Sequence, residues 1–150
     1  MKLFRTELAS EFKDKFFDIE SAELQNEVFV AEAKNISCVL SAEKTKFGYQ
    51  VSGKLQTELF LQCDRCLISF AEHHRIPVKL SLSPNPKLME TNEVDVLFID
   101  KKQEFIDLTD PLLELILVDI PLKNLCKDNC LGLCEQCGAD LNVKTCNCKS

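Results

Sequence analysis

The chain has 150 residues, which is enough for one domain with a substantial core and too short for two full domains. Its 18 Lys and Arg residues against 24 Asp and Glu residues give a net charge of −6, which argues against a general coat for nucleic acid. The nine cysteines are an odd number, so disulfide bonds alone cannot pair all of them. We expect a single domain over residues 1–150.

The N-terminal sequence becomes charged early, with Lys2, Arg5 and Glu7. A signal peptide needs an uninterrupted apolar stretch of about 7–15 residues, and a membrane span needs about 20 apolar residues. Neither occurs, so we expect a cytoplasmic protein that has no membrane partner. In that reducing compartment, paired cysteines are typical of metal ligands or redox groups.

The first 25 residues contain one helical pattern. Leu8, Phe12 and Phe16 recur at helical spacing, and Glu11 precedes Lys15 by four residues, which is a favourable helical pair. This spacing predicts a short helix.

Three later segments alternate apolar and polar residues, which predicts half-buried antiparallel strands. Their apolar positions are Ile36, Cys38, Leu40 and Ala42; then Val51, Leu55, Leu59 and Leu61; then Ile76, Val78, Leu80 and Leu82. The second and third segments would form a hairpin over residues 51–82, with Cys63 and Cys66 near its tip. Pro77 indicates an edge position or a bulge.

The chain then passes through a predicted surface loop at residues 84–93 and a strand at 94–99. The aliphatic segment 112–120 follows Pro111, a residue that suits a first helical turn, and stops at Pro121. This segment predicts a helix that is buried or docked on a partner, although its β-branched residues leave a strand open. Altogether the sequence predicts an α+β fold: an antiparallel curved sheet or partial barrel with one packed C-terminal helix and a cysteine-rich zinc-binding tail.

That tail, residues 126–150, holds six cysteines and few large apolar residues, so it cannot form a core by apolar burial. A Cys-x-x-Cys turn lets two thiolates hold one ion, and structural zinc sites are closed tetrahedra of such ligands. Eight cysteines make two sites of four. We favour Cys63, Cys66, Cys126 and Cys130 for one ion, and Cys134, Cys137, Cys146 and Cys148 for the other.

The first site would dock the tail on the 51–82 hairpin, and Cys38 would remain as a buried thiol. We expect two structural zinc ions, with a single ion as the alternative, and no open position for catalysis. A redox dithiol at Cys63 and Cys66, an iron–sulfur cluster and disulfides are the other interpretations. The adjacent His73 and His74 are expected at the surface.

Several motifs together resemble one family. They are Cys63-Asp64-Arg65-Cys66-Leu67, the pair Asp107-Leu108 before the aliphatic segment, the run from Cys130 through Cys134-Glu135-Gln136-Cys137-Gly138 to Asn142, and Cys146-Asn147-Cys148. In order and spacing they are similar to the YceD family, the large ribosomal RNA subunit accumulation proteins.

The resemblance implies a non-enzymatic ribosome-biogenesis factor that promotes accumulation or processing of large-subunit ribosomal RNA. Its partner would be the pre-ribosomal large subunit, reached through a basic ribosomal protein or through RNA, with no small-molecule substrate. If RNA is bound, the candidate contacts are Arg65, Lys54, Arg75 and Lys79. The alternatives are a thiol-redox protein that uses Cys63 and Cys66, and a zinc-stabilised adaptor for a non-ribosomal protein.

Overall fold

The computed structural model describes residues 1–20, 34–85, 96–100 and 102–148. In chain order its elements are β1 (Lys2–Phe4), α1 (Arg5–Ala9), β2 (Phe12–Ile19), β3 (Lys34–Thr45), β4 (Gly48–Gln62), β5 (Ser69–Ser83), β6 (Val96–Phe98), β7 (Phe105–Asp107) and α2 (Thr109–Asp119). The predicted loop at 84–93 lies mostly outside the described residues.

Five strands form one sheet in the order β2-β3-β4-β5-β6, and β1 pairs with β7 in a separate two-stranded sheet. The expectation of a wholly antiparallel sheet is wrong, because β6 runs parallel to β5. Alternation along a strand reports which face is buried and carries no information on strand direction. The partial barrel is not found either: within the described ranges, β2 and β6 are the two edges and no pairing joins them.

The long hairpin of β4 and β5 is confirmed, and its pairing runs without a break from Tyr49–Leu82 to Gln62–Ser69. The predicted apolar positions all face the core. Leu55 and Ile76, for example, lie opposite each other and are both buried. Over the described residues, β6 reaches β5 only at Ser81–Ser83, so Pro77 sits on a free edge of the sheet, where its missing N–H costs no ladder bond.

The N-terminal helix is confirmed only in part. It ends at Ala9, and the residues predicted to continue it form β2. Glu11 and Asp14 adopt positive φ angles of 49° and 50°, which interrupt a helix. Phe17 and Ile19 then face the core on one side of β2, while Phe16 lies on the other and is 63% exposed. Residues 12–19 therefore form a strand paired with β3, although Leu8, Phe12 and Phe16 recur at helical spacing.

The aliphatic segment is a helix, so the open alternative of a strand is wrong. α2 buries Leu112, Leu113 and Ile116 in the same core as β4 and β5, while Val118 is 84% exposed. One face of the five-stranded sheet is therefore covered by α2. The opposite face, which we call the open face, is exposed as far as the described residues extend. In the described part of the chain, neither helix is long and apolar enough to cross a bilayer.

The expectation that both histidines lie at the surface is wrong for His74. Its side chain is buried opposite Thr57 on the core face, and its Nδ1 lies 2.7 Å from Asp119 Oδ2 at the end of α2. The residue shares the alternation phase of Ile76 and Val78, so its burial follows from register. His73, on the open face, is exposed as predicted.

The packing of α2 generates a stability test. Replacing Ile116 by Ala removes a buried side chain and should lower the free energy of unfolding by about 2–5 kcal/mol, because a cavity remains between α2 and the sheet. Val118→Ala on the same helix is the matched control and should change it by less than about 0.5 kcal/mol. Urea unfolding at fixed zinc concentration measures both. Equal effects of the two substitutions would show that α2 does not dock by this face.

Candidate metal centre

The first cysteine cluster consists of Cys63, Cys66, Cys126 and Cys130, and it joins the turn between β4 and β5 to the tail. The four sulfur atoms all lie within 4.8 Å of one another. Two of the separations are 3.8 Å, from Cys63 Sγ to Cys130 Sγ, and 3.6 Å, from Cys66 Sγ to Cys126 Sγ. A tetrahedron with zinc–sulfur bonds of about 2.3 Å has edges of about 3.8 Å, so these sulfurs fit one tetrahedral ion.

The turn that carries Cys63 and Cys66 is closed by backbone bonds. The N–H of Cys63 donates to Ile68 O at 2.9 Å, and the N–H of Leu67 donates to Cys63 O at 2.9 Å, with Leu67 at a φ of 61°. Burial raises the pKa of the Cys63 thiol. Backbone N–H groups of Cys126, Cys66 and Arg65 outweigh it and bring that pKa to about 6. These backbone groups thus favour the thiolate of Cys63, the form that binds metal.

The burial of its sulfur atoms distinguishes this cluster from a redox-active dithiol. Cys63, Cys66 and Cys130 are 0%, 4% and 2% exposed, and Leu125 and Leu133 pack beside them. Redox-active cysteines are partly accessible, since a substrate must reach the attacking sulfur. All nine cysteines are free, so no disulfide is formed. Four converging and mostly buried sulfurs suit a closed metal site.

The second cysteine cluster consists of Cys134, Cys137, Cys146 and Cys148, whose sulfur atoms also lie within 4.8 Å of one another. The turn at Cys134 has the same backbone bonding as the turn at Cys63. The N–H of Gly138 donates to Cys134 O at 2.8 Å, and Gly138 adopts a φ of 69°. Backbone N–H groups of Cys137 and Gln136 lower the pKa of Cys134 to about 6. Cys137 and Cys148 are exposed, so this cluster is the more open of the two.

The two clusters are connected by Asp140 and Asn142, which the spacing argument did not single out. Asn142 Nδ2 donates to Asp140 Oδ1 at 2.7 Å and to Cys130 Sγ at 3.4 Å, and Asn142 Oδ1 accepts the N–H of Leu131 at 2.9 Å. The loop of the second cluster therefore orients a sulfur atom of the first. The signal for this role is the Asp-x-Asn spacing between Cys137 and Cys146.

Asp64 and Arg65 dock the tail on the hairpin. Asp64 Oδ2 accepts the N–H of Asn124 at 2.7 Å, and Arg65 Nη1 donates to Cys130 O at 2.8 Å. The N–H of Leu133 donates to Arg65 O at 3.1 Å. A Cβ at Gly132 would meet this carbonyl at 3.0 Å, and Gly132 adopts a φ of 76°, so the close approach needs glycine. Arg65, a predicted RNA contact, is thus engaged within the chain.

The other predicted RNA contacts lie elsewhere. Lys54, Arg75 and Lys79 are exposed on the open face of β4 and β5, apart from both clusters. Cys38 is buried in the core, where burial raises its pKa to about 12, and it belongs to neither cluster.

A family model described as "Large ribosomal RNA subunit accumulation protein YceD" matches residues 51–150, which include most of β4, all of β5 and α2, and both cysteine clusters. The chain belongs to the YceD family. The YceD match also covers Asp140 and Asn142.

Longer mycobacterial proteins contain segments that are similar to this chain. Uncharacterized proteins Mb2951c of Mycobacterium bovis and Rv2926c of Mycobacterium tuberculosis are each 30% identical over 105 residues, 68% of this chain and 49% of theirs. Uncharacterized protein ML1660 of Mycobacterium leprae is 26% identical over 112 residues, 73% of this chain and 50% of its own. The chain therefore spans about half the length of these relatives. No solved structure matches it at a significant level.

The bond from Asn142 to Cys130 generates a metal-affinity test. Asn142→Ala removes a donor to a ligand sulfur and should weaken Zn²⁺ binding at the first cluster about 10–100-fold. Competition with a chromophoric chelator measures the affinity. Asn147→Ala, an exposed tail residue between Cys146 and Cys148, is the control and should leave the first cluster unchanged. Equal affinities in all three proteins would remove Asn142 from the site.

Proposed function

We propose that the protein is a non-enzymatic factor that promotes the accumulation or processing of large-subunit ribosomal RNA in the cytoplasm. The observation that carries this proposal is the YceD family match over residues 51–150. The direct partner would be the large-subunit precursor, through a basic ribosomal protein or through RNA. The net charge of −6 suits a basic protein, whereas an RNA contact needs a local basic surface.

Each cysteine cluster is proposed to hold one structural zinc ion. The support is the donor set: four cysteines per cluster, with sulfurs within 4.8 Å of one another. Such close sulfurs enclose a single ion, whereas a cluster of several irons and sulfides would hold them farther apart. Zinc suits this site because it takes four sulfur ligands and brings no redox chemistry.

The ions would supply folding free energy to a segment that has little apolar core of its own. In the tail Cys130 is buried and Leu133 is half-buried near the hairpin, but Leu131 and Val143 are exposed. Structural zinc contributes apparent binding free energies of about 10–16 kcal/mol, which appear only when the ligands are brought together by folding. The proposed role of zinc is therefore to fix the tail against the β4–β5 turn.

A redox role for Cys63 and Cys66 has less support, because both thiols are buried. A zinc-stabilised adaptor for a non-ribosomal protein remains the competing function. Fractionation of ribosomal particles distinguishes this adaptor from a ribosome-biogenesis factor.

Fractionation of ribosomal particles tests the proposed function. A tagged chain should co-sediment with large-subunit precursors more than with mature large subunits. Loss of the protein should lower the ratio of large- to small-subunit ribosomal RNA. A chain that stays at the top of the gradient with a protein partner, together with an unchanged ratio, would support the adaptor instead.

Metal counting tests the two zinc sites. Native mass spectrometry should find two zinc ions in the wild-type chain and in Cys38→Ala, the matched control outside both clusters. Cys66→Ser should retain one ion, because an oxygen replaces a ligand of the first cluster only. Loss of zinc in Cys38→Ala, or two tightly held ions in Cys66→Ser, would contradict this assignment.

A further inference from the structure

The open face of the five-stranded sheet presents a cluster of cations at its centre. On β5, Arg75 and Lys79 flank Pro77, and Pro77 lies directly opposite Lys54 on β4. By the geometry of paired strands, each of the β5 cations is a diagonal neighbour of Lys54, about 7–8 Å away. We call Lys54, Arg75 and Lys79 the basic triad. All three side chains are exposed, because each alternates along its strand with residues that are buried in the core, such as Leu55 and Ile76.

No member of the basic triad lies directly opposite an acid, although Glu58 on β4 is a diagonal neighbour of Arg75. Over the described ranges, no acidic side chain forms an ion pair with any of its members. The residues directly opposite them are Pro77 and Val39 for Lys54, Gln56 for Arg75, and Ser52 for Lys79. Glu58, the next acid along β4, faces His73 instead, with 3.9 Å between Oε1 and Nε2. Three neighbouring positive charges on a chain of net charge −6 form a local site for an anion.

An aromatic side chain lies in the same row of the sheet. Phe16 on β2 pairs with Val39 on β3, and Val39 pairs with Lys54, so all three point to the open face. Phe16 is 63% exposed and Val39 is 40% exposed. With strands about 4.8 Å apart, Phe16 lies about 10 Å from the position of Lys54. The open face therefore combines a flat ring, an apolar floor and three cations within one short span.

We propose that this open face binds single-stranded RNA, with the basic triad on the phosphates and a base stacked on Phe16. The inference rests on the proposed function and names the surface through which the large-subunit precursor would be contacted. Proteins that bind single strands combine cations along the backbone with aromatic rings beneath the bases. An acidic protein segment would use the cations but has no base to stack on Phe16, so the ring favours RNA.

The proposal also reassigns the predicted contacts. Lys54, Arg75 and Lys79 act together on the open face, whereas Arg65 lies outside that face, in the β4–β5 turn, where its Nη1 donates to Cys130 O. Variants of the triad should leave both cysteine clusters and the core intact, since none of the three contacts them. Binding can therefore be separated from folding.

The test is fluorescence anisotropy of the full zinc-loaded chain with a short labelled single-stranded RNA of mixed sequence. The triple variant Lys54→Ala, Arg75→Ala, Lys79→Ala should weaken binding at least tenfold. It should also flatten the slope of log affinity against log salt by about 2, because about 0.7 is lost per phosphate contact on a single strand. Lys102→Ala, Lys123→Ala, Lys144→Ala changes the net charge equally outside the sheet and should bind within about twofold of wild type.

Phe16→Ala tests the aromatic contribution. It should weaken RNA binding about tenfold with an unchanged salt slope, since stacking releases no counterions. Equal loss in the two triple variants would overturn the proposal, and so would no RNA binding by the wild-type chain. Poly-glutamate that binds the triad as tightly as RNA, with no effect of Phe16→Ala, would assign the face to an acidic protein instead. Precursor co-sedimentation that persists in the Lys54, Arg75, Lys79 variant would reject this surface while leaving the proposed function standing.

Discussion

The convergence of four sulfur atoms between the β4–β5 turn and the tail is the constraint on which the C-terminal end depends. Cys63 and Cys66 are held by a turn with its own backbone bonds, whereas Cys126 and Cys130 come from a segment of few apolar residues. Four neutral thiols gain little from mutual contact, but four thiolates around one ion gain a large binding free energy. The backbone N–H groups aimed at Cys63 prepare the hairpin side of the site.

The rest of the fold is stabilised by apolar burial instead of by its cysteines. The five-stranded sheet and α2 are held by apolar burial, with Leu55, Ile76 and Ile116 in one continuous core. The two kinds of stabilisation meet at the end of the long hairpin, where Phe70 packs against both the core and the first cysteine cluster. The sheet fixes the position of the turn, and the turn positions two of the four cysteines of the first cluster. Asn142, in the loop of the second cluster, donates a hydrogen bond to Cys130 Sγ and so connects that loop to the first cluster.

The sequence allowed the hairpin and the grouping of the cysteines to be predicted, because both depend on local spacing. Alternation with a period of two placed Leu55 and Ile76 on the buried face, and the paired spacings separated two sets of four cysteines. The direction of β6 was not predictable, since alternation is the same in parallel and antiparallel strands. The helix predicted through Phe16 failed because pairing with β3 outweighs local spacing. His74 was misjudged, although its phase with Ile76 carried the information. That the three residues of the basic triad lie next to one another could be recognised only from the register of β4 and β5.

X-ray absorption at the zinc edge of the intact, zinc-loaded chain measures whether four sulfur atoms surround each zinc ion. The account predicts two zinc ions per chain, each with four sulfur neighbours at about 2.3 Å and no nitrogen or oxygen ligand. It also predicts that chelation disorders the tail while the signals of the sheet core persist in NMR spectra. Zinc with nitrogen or oxygen ligands, or with fewer than four sulfur neighbours, would contradict it.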